Sequence, residues 1–109
     1  MTSKSPSLPL PVARALKKLG RDMAVARKKR RISSAEMAER LFVSRDTLWR
    51  LENGDPTVAA GTLATALFVL QLHDRLLRLA DAGGDVLGLE QEAEKLPKRI
   101  RRPRAAAKS

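Results

Sequence analysis

The apolar positions Val12, Leu16, Leu19, Met23 and Ala26 recur at steps of four and three, the spacing of one stripe on a helix. Arg14, Lys17, Lys18, Arg21 and Lys28 fall on the other side. The pattern predicts an amphipathic helix that begins near Pro11 or Val12, where proline suits the first turn. Gly20 inside the stripe costs about 1 kcal/mol against alanine and points to close packing. A second helix starts at a cap on Ser33 or Ser34, with Glu36 placed to close a capping box on Ser33. It turns Met37, Ala38 and Leu41 inward and runs to about Leu41. Ser44 caps a third helix, Arg45 to about Asn53, with Leu48 and Leu51 inward. Gly54 ends it in a left-handed conformation, and Asp55-Pro56 continues the turn.

Downstream, Leu63, Leu67, Phe68, Leu70 and Leu72 make the stretch Gly61 to Leu72 apolar on more than one side. Such a helix is buried on several faces, by the domain core and by a second subunit. Leu76, Leu77 and Leu79 predict its extension to about Ala80 before Gly83-Gly84 breaks it. Asp85–Glu90 reads as a short strand and Glu90–Lys95 as a helical turn. The expected fold class is therefore all-α, a compact bundle of about five helices with flexible N- and C-terminal tails. Residues 1–11 form the arm, 12–80 the domain, and 81–109 a linker and basic tail in which Pro97 and Pro103 bracket Lys98–Arg104.

Charge narrows the class of partner. The chain of 109 residues carries a net +10, distributed as +9 over residues 1–31, −5 over 32–97 and +6 over 98–109. Clustered Lys and Arg suit a polyanion, because binding at phosphates releases condensed counterions. Cysteine is absent and His73 stands alone, so neither a disulfide nor a metal site is expected; no cofactor is implied. With no tyrosine and 3% aromatic residues, a stacking platform for single strands is not expected either. No run approaches 18 apolar residues, and MTSKSPSLPLPV lacks the apolar stretch of a signal peptide. The expectation is a cytoplasmic protein without a membrane partner.

The segment Ile32–Gly54, ISSAEMAERLFVSRDTLWRLENG, has the spacing of a DNA-reading helix-turn-helix. In that geometry the start of the second helix enters the major groove. Arg45 and Asp46 then approach base edges, with Thr47 beside them and Trp49 and Arg50 one turn later. Arginine can pair with guanine O6 and N7, and an acid can accept from cytosine N4. Ser34 and Ser44, at helix starts, can place hydroxyl and backbone N–H groups on phosphate. Lys28 and Lys29 belong to a run, Arg27–Arg31, that reads either as a phosphate clamp or as a solvated face. Arg45 and Asp46 also admit a plainer reading as a solvated helix start, where Asp46 is favourable near the positive helix end. Glu52 reads as structural, bonded to backbone or to an arginine such as Arg14 or Arg27. Glu36, Glu39 and Glu52 are explained by capping and surface pairing, and the chain offers no nucleophile–base set, so it does not read as an enzyme.

On SSAEMAERL, VSRDTLWRLENG and the apolar helices that follow, residues from about Leu16 to Leu72 resemble the Xre-type helix-turn-helix family of phage repressors. The resemblance implies Arg45, Asp46, Thr47, Trp49 and Arg50 as the reading face. The family often has a DNA-touching glutamine where this chain has Ser34, and glycine in the turn where it has Phe42. A bulky residue is strained at positive φ, so either Phe42 bears that strain or the turn is remodelled, with the ring packed outward or on a partner. The segment LFVLQLHDRLLRLAD, followed by LEQEAEKLPKRIRRPR, is similar to HipB-type antitoxins. That resemblance implies a homodimeric autorepressor on a double-stranded DNA operator that holds a HipA-type toxin kinase inactive. A stand-alone Xre-type regulator, a toxin neutraliser with DNA binding secondary, and a non-specific basic nucleic-acid binder are the alternatives.

Overall fold

The computed structural model describes residues 7–95, and among them five α-helices, two 3₁₀ helices and no strand. The run Lys98–Arg104, its bracketing prolines and the first six residues of the arm lie outside the described residues. The helices are α1 (Leu10–Lys29), α2 (Ser34–Leu41), α3 (Arg45–Glu52), α4 (Ala60–Val69) and α5 (Val86–Lys95). The 3₁₀ helices are His73–Arg78 and Ala82–Gly84. The chain divides into two compact units, parted between Leu76 and Leu77.

In the first unit the core is built from Met23, Ile32, Met37, Ala38, Leu41, Leu48, Leu51, Ala66, Leu67 and Leu70. Met37, Leu48 and Leu70 are its largest fully buried side chains, each worth about 1.5–3 kcal/mol of transfer out of water. The α1 stripe is buried only toward its end, since Met23 is buried, Leu16 and Leu19 are half-buried and Val12 is exposed. Gly20 explains itself here. A Cβ at that position would lie 2.5 Å from the Glu52 carbonyl oxygen and 2.7 Å from that of Leu51, so the α1 and α3 backbones nearly touch. All three aromatic residues are exposed, Phe42 at 94%, Trp49 at 63% and Phe68 at 61%. The core is wholly aliphatic and thioether.

Helix starts follow the sequence closely. The Ser33 Oγ accepts from the Glu36 N–H at 3.0 Å and the Ser44 Oγ from the Thr47 N–H at 3.0 Å, each satisfying a first-turn donor that has no intrahelical partner. The Glu36 carboxylate does not return to Ser33 but accepts from Arg40. Helix ends are more unusual. All four helices of this unit close with the same paired bonds: Arg31, Phe42, Gly54 and Gln71 each donate to the carbonyl three residues back. The next residues, Ile32, Val43, Asp55 and Leu72, each donate to the carbonyl five back. This is the Schellman closure, which needs a left-handed residue and favours an apolar one after it. Ile32, Val43 and Leu72 supply the apolar anchor, but only Gly54 supplies glycine. Arg31, Phe42 and Gln71 adopt φ of 58°, 57° and 63° with full side chains. Phe42 therefore bears left-handed backbone and also turns its ring outward.

Two expectations besides the capping box are corrected. The helix after Gly61 does not run to Ala80; it stops at Val69 because Gln71 goes left-handed and Leu72 donates to the Leu67 carbonyl at 2.7 Å. Nor is Asp85–Glu90 a strand. Asp81 caps the Ala82–Gly84 turn through the Gly83 N–H, and the Asp85 carbonyl accepts from the Leu89 N–H at 2.9 Å, opening α5. In the second unit Leu77, Leu79, Val86, Leu87 and Leu89 are exposed. No helix among the described residues is long and apolar enough to cross a membrane.

Candidate nucleic-acid interface

The second short helix is aimed by burial of its opposite side. Leu48 and Leu51 face the core, and a helix of eight residues with two such anchors presents the remaining positions outward. Arg45, Asp46 and Trp49 are exposed and Arg50 is half-buried. Ser34, the first residue of α2, joins them: Arg27, Ser34, Arg45, Asp46, Leu48, Trp49 and Glu52 line one hollow of about 370 Å³. Asn53 fixes the far end of this face by donating from Nδ2 to the Trp49 carbonyl at 2.8 Å.

The floor of the hollow is an ion pair. Arg27 donates from Nε and Nη2 to the two carboxylate oxygens of Glu52 at 2.8 and 3.1 Å, and from Nη1 to the Ile32 carbonyl at 3.0 Å. Both side chains are nearly enclosed. The Glu52 hydrogen bond raises the Arg27 pKa further, against the lowering effect of burial. Such a planar, two-point pairing is the geometry in which guanidinium and carboxylate interact most strongly. Arg27 is thus withdrawn from the basic run, and it answers which arginine partners Glu52. Lys28 and Lys29 remain exposed on the last turn of α1; among the described residues no hydrogen bond or ion pair ties either to α3.

Other side chains are committed to holding α3. Ser44 is its N-cap, and the Ser44 hydroxyl also donates to Thr47 Oγ1 at 3.0 Å, so both hydroxyls serve the helix start. Arg50 is engaged from the loop that follows. Its Nε donates to Asp55 Oδ2 at 3.0 Å and its Nη2 to Thr57 Oγ1 at 3.2 Å, while Asp46 lies 3.9 Å from Nη1. Thr57 in turn donates from its N–H and hydroxyl to Asp55 Oδ1 at 2.8 and 2.6 Å. These bonds, those of Thr57 before that of Arg50, hold the Asp55 carboxyl down at about 2. From the sequence, Asp55 was expected only to continue the turn, and Thr57 carried no expectation. The signal was present, since Asp two residues before Thr around a proline is the composition of a side-chain-closed turn.

Two short helices, α2 and α3, are thus joined by the three-residue turn Phe42–Ser44, and α3 turns a polar face outward. The family pattern described as a helix-turn-helix domain covers residues 18–87, well over half of the chain. No curated protein and no solved structure matches it. From α1 through the first residues of α5, the chain belongs to the helix-turn-helix domain family, the architecture of DNA-binding regulators.

Proposed function

We propose that this protein is a site-specific repressor that binds double-stranded DNA as a homodimer on a palindromic operator, upstream of its own gene. The observation that carries the reading is the hollow shared by Ser34, Arg45, Asp46 and Trp49 on the outer side of α3. It joins a donor, an acceptor and an apolar ring on one exposed face, the set of groups that distinguishes base pairs in a major groove. Arg45 addresses guanine, Asp46 cytosine N4, and Trp49 a thymine methyl or sugar. Backbone N–H groups at the starts of α2 and α3 lie beside phosphate, and Lys28 and Lys29 add sequence-independent attraction. One such face reads only a few base pairs, so two copies with half-sites about one helical turn apart are required for an operator. The helix expected to pair the copies corresponds to α4, where Phe68 is exposed.

Selection from a pool of random duplexes tests this. The expected product is a two-fold symmetric motif; enrichment of an unsymmetric motif overturns the dimer, and no enrichment overturns site-specific reading. Replacing Lys28 and Lys29 by alanine should weaken all duplexes alike and shallow the salt dependence.

One observation favours a second reading, a toxin neutraliser whose partner is a HipA-type kinase. Leu77, Leu79, Val86, Leu87 and Leu89 are exposed within one short unit, and clustered exposed apolar groups mark protein contacts. Co-purification of a neighbouring gene product, lost when Leu77 and Leu79 become serine, supports that role; failure to co-purify leaves a stand-alone regulator.

A further inference from the structure

We propose that Asp55 and Thr57 are specificity-determining positioning residues, which fix Arg50 so that one edge of its guanidinium is presented to a guanine. The inference rests on the site-specific reading above and deepens it by assigning residues outside the recognition helix.

A guanidinium offers two hydrogen-bonding edges, Nε with one N–H of Nη2, and Nη1 with the other N–H of Nη2. In this protein the first edge is filled: Asp55 takes Nε at 3.0 Å and Thr57 takes Nη2 at 3.2 Å. The two acceptors are themselves tied together by the Thr57 N–H and hydroxyl on Asp55 Oδ1, and Pro56 between them restricts the loop. What remains is the Nη1/Nη2 edge, two near-parallel N–H donors, the fork that matches guanine O6 and N7. A free arginine at this position would lose side-chain rotamer entropy on binding. It would also have Asp46, four residues back, as a competing partner. Asp46 stands 3.9 Å from Nη1, an ion pair too long for a hydrogen bond, so it leaves the N–H donors of that edge unfilled. Ordering the side chain before DNA arrives reduces the cost of binding and fixes which base it meets.

The alternative is that Asp55 merely closes the turn, and charge separates the two roles. Removing an acid beside a phosphate-binding surface strengthens attachment to every sequence. Removing a positioning group lowers discrimination at one base.

The test measures binding of the full chain to its selected duplex and to each single-base variant of it, for wild type, Arg50→Ala, Asp55→Asn and Thr57→Val. Arg50→Ala is expected to flatten preference at one position in each half-site. Asp55→Asn is expected to lower preference at that same position roughly tenfold, the scale of one base contact, while binding to shuffled duplex holds or rises. Thr57→Val, which changes no charge, should give a smaller loss at the same position. It also keeps the question answerable if Asp55→Asn fails to fold. Asp55→Asn and Thr57→Val that leave every base preference intact overturn the proposal, as does Arg50→Ala without effect in a wild type that discriminates. A wild type with no preference among duplexes overturns the site-specific reading itself, and this proposal with it.

Discussion

Replacing Gly20 by alanine adds one methyl group at the closest approach of α1 and α3. The new Cβ would sit 2.5 Å from the Glu52 carbonyl oxygen and 2.7 Å from that of Leu51. Neither acceptor is a side-chain tip that can swing aside, so the two helices must part by about 0.5 Å before the contact is tolerable in a close-packed interior. Overpacking of this kind costs about 1–3 kcal/mol, offset by about 1 kcal/mol from the better helix propensity of alanine. The net loss, up to about 2 kcal/mol, corresponds to a fall in Tm of up to roughly 15 °C for a unit of this size. Gly61 in α4 is the control, because nothing lies within 4 Å of a Cβ built there. Gly61→Ala should stabilise by about 0.4–1 kcal/mol through the unfolded chain. The assay is thermal unfolding followed by helical circular dichroism on both variants under one buffer. Opposite signs are required. If Gly20→Ala unfolds at or above the wild-type temperature, α1 and α3 do not approach as described.

Three further outcomes follow from single sites. Phe42→Gly should raise stability by about 1 kcal/mol in urea titration, since left-handed backbone costs a side-chain-bearing residue about 1–2 kcal/mol and the 94% exposed ring packs on nothing; a lower urea midpoint refutes it. Glu52→Gln should cost about 3 kcal/mol by leaving the Arg27 guanidinium nearly enclosed without its counter-charge, whereas the double change Arg27→Met with Glu52→Leu should recover most of that loss; purely additive effects would mean that the pair is not coupled. Asp55 has its pKa lowered from 3.8 to about 2, so its contribution is fully present above pH 4 and is lost as pH falls through that interval. Asp55→Asn should therefore flatten the stability profile between about pH 4 and pH 2, and a profile identical to wild type there would contradict the Thr57 and Arg50 bonds.

Legibility of the fold followed the kind of signal each residue carries. Periodic leucines and methionines marked α1 to α3, and the serine caps at Ser33 and Ser44 fixed two helix starts, because an oxygen on a short side chain has few other uses before an apolar run. Ends were less evenly legible: that of α2 at Leu41 was placed without a glycine, that of α4 was not. Gly54 announced its left-handed turn, while Gln71 adopts the same conformation without any compositional sign, held by the Leu72 to Leu67 bond and the burial of Leu70. That tertiary choice is why the fourth helix read about eleven residues too long. The segment after Gly84 misled for another reason: the six residues Asp85–Glu90 are too few to separate a strand from the first turns of a helix. Of the candidate site, the outward face of α3 was legible from its two inward leucines. The Arg27 partner of Glu52 was one of two arginines the sequence offered, whereas the capture of Arg50 by the Asp55–Thr57 turn depends on loop geometry that the turn's composition alone does not give.

Binding to the DNA upstream of its own gene, measured beside a shuffled duplex of equal composition at physiological salt, bears most directly on the central claim. The account predicts a preference of roughly a thousandfold or more, reduced for Arg45→Ala by the loss of one base contact, about 1–3 kcal/mol. Near-equal binding of both duplexes, steep in salt and indifferent to Arg45→Ala, would contradict it.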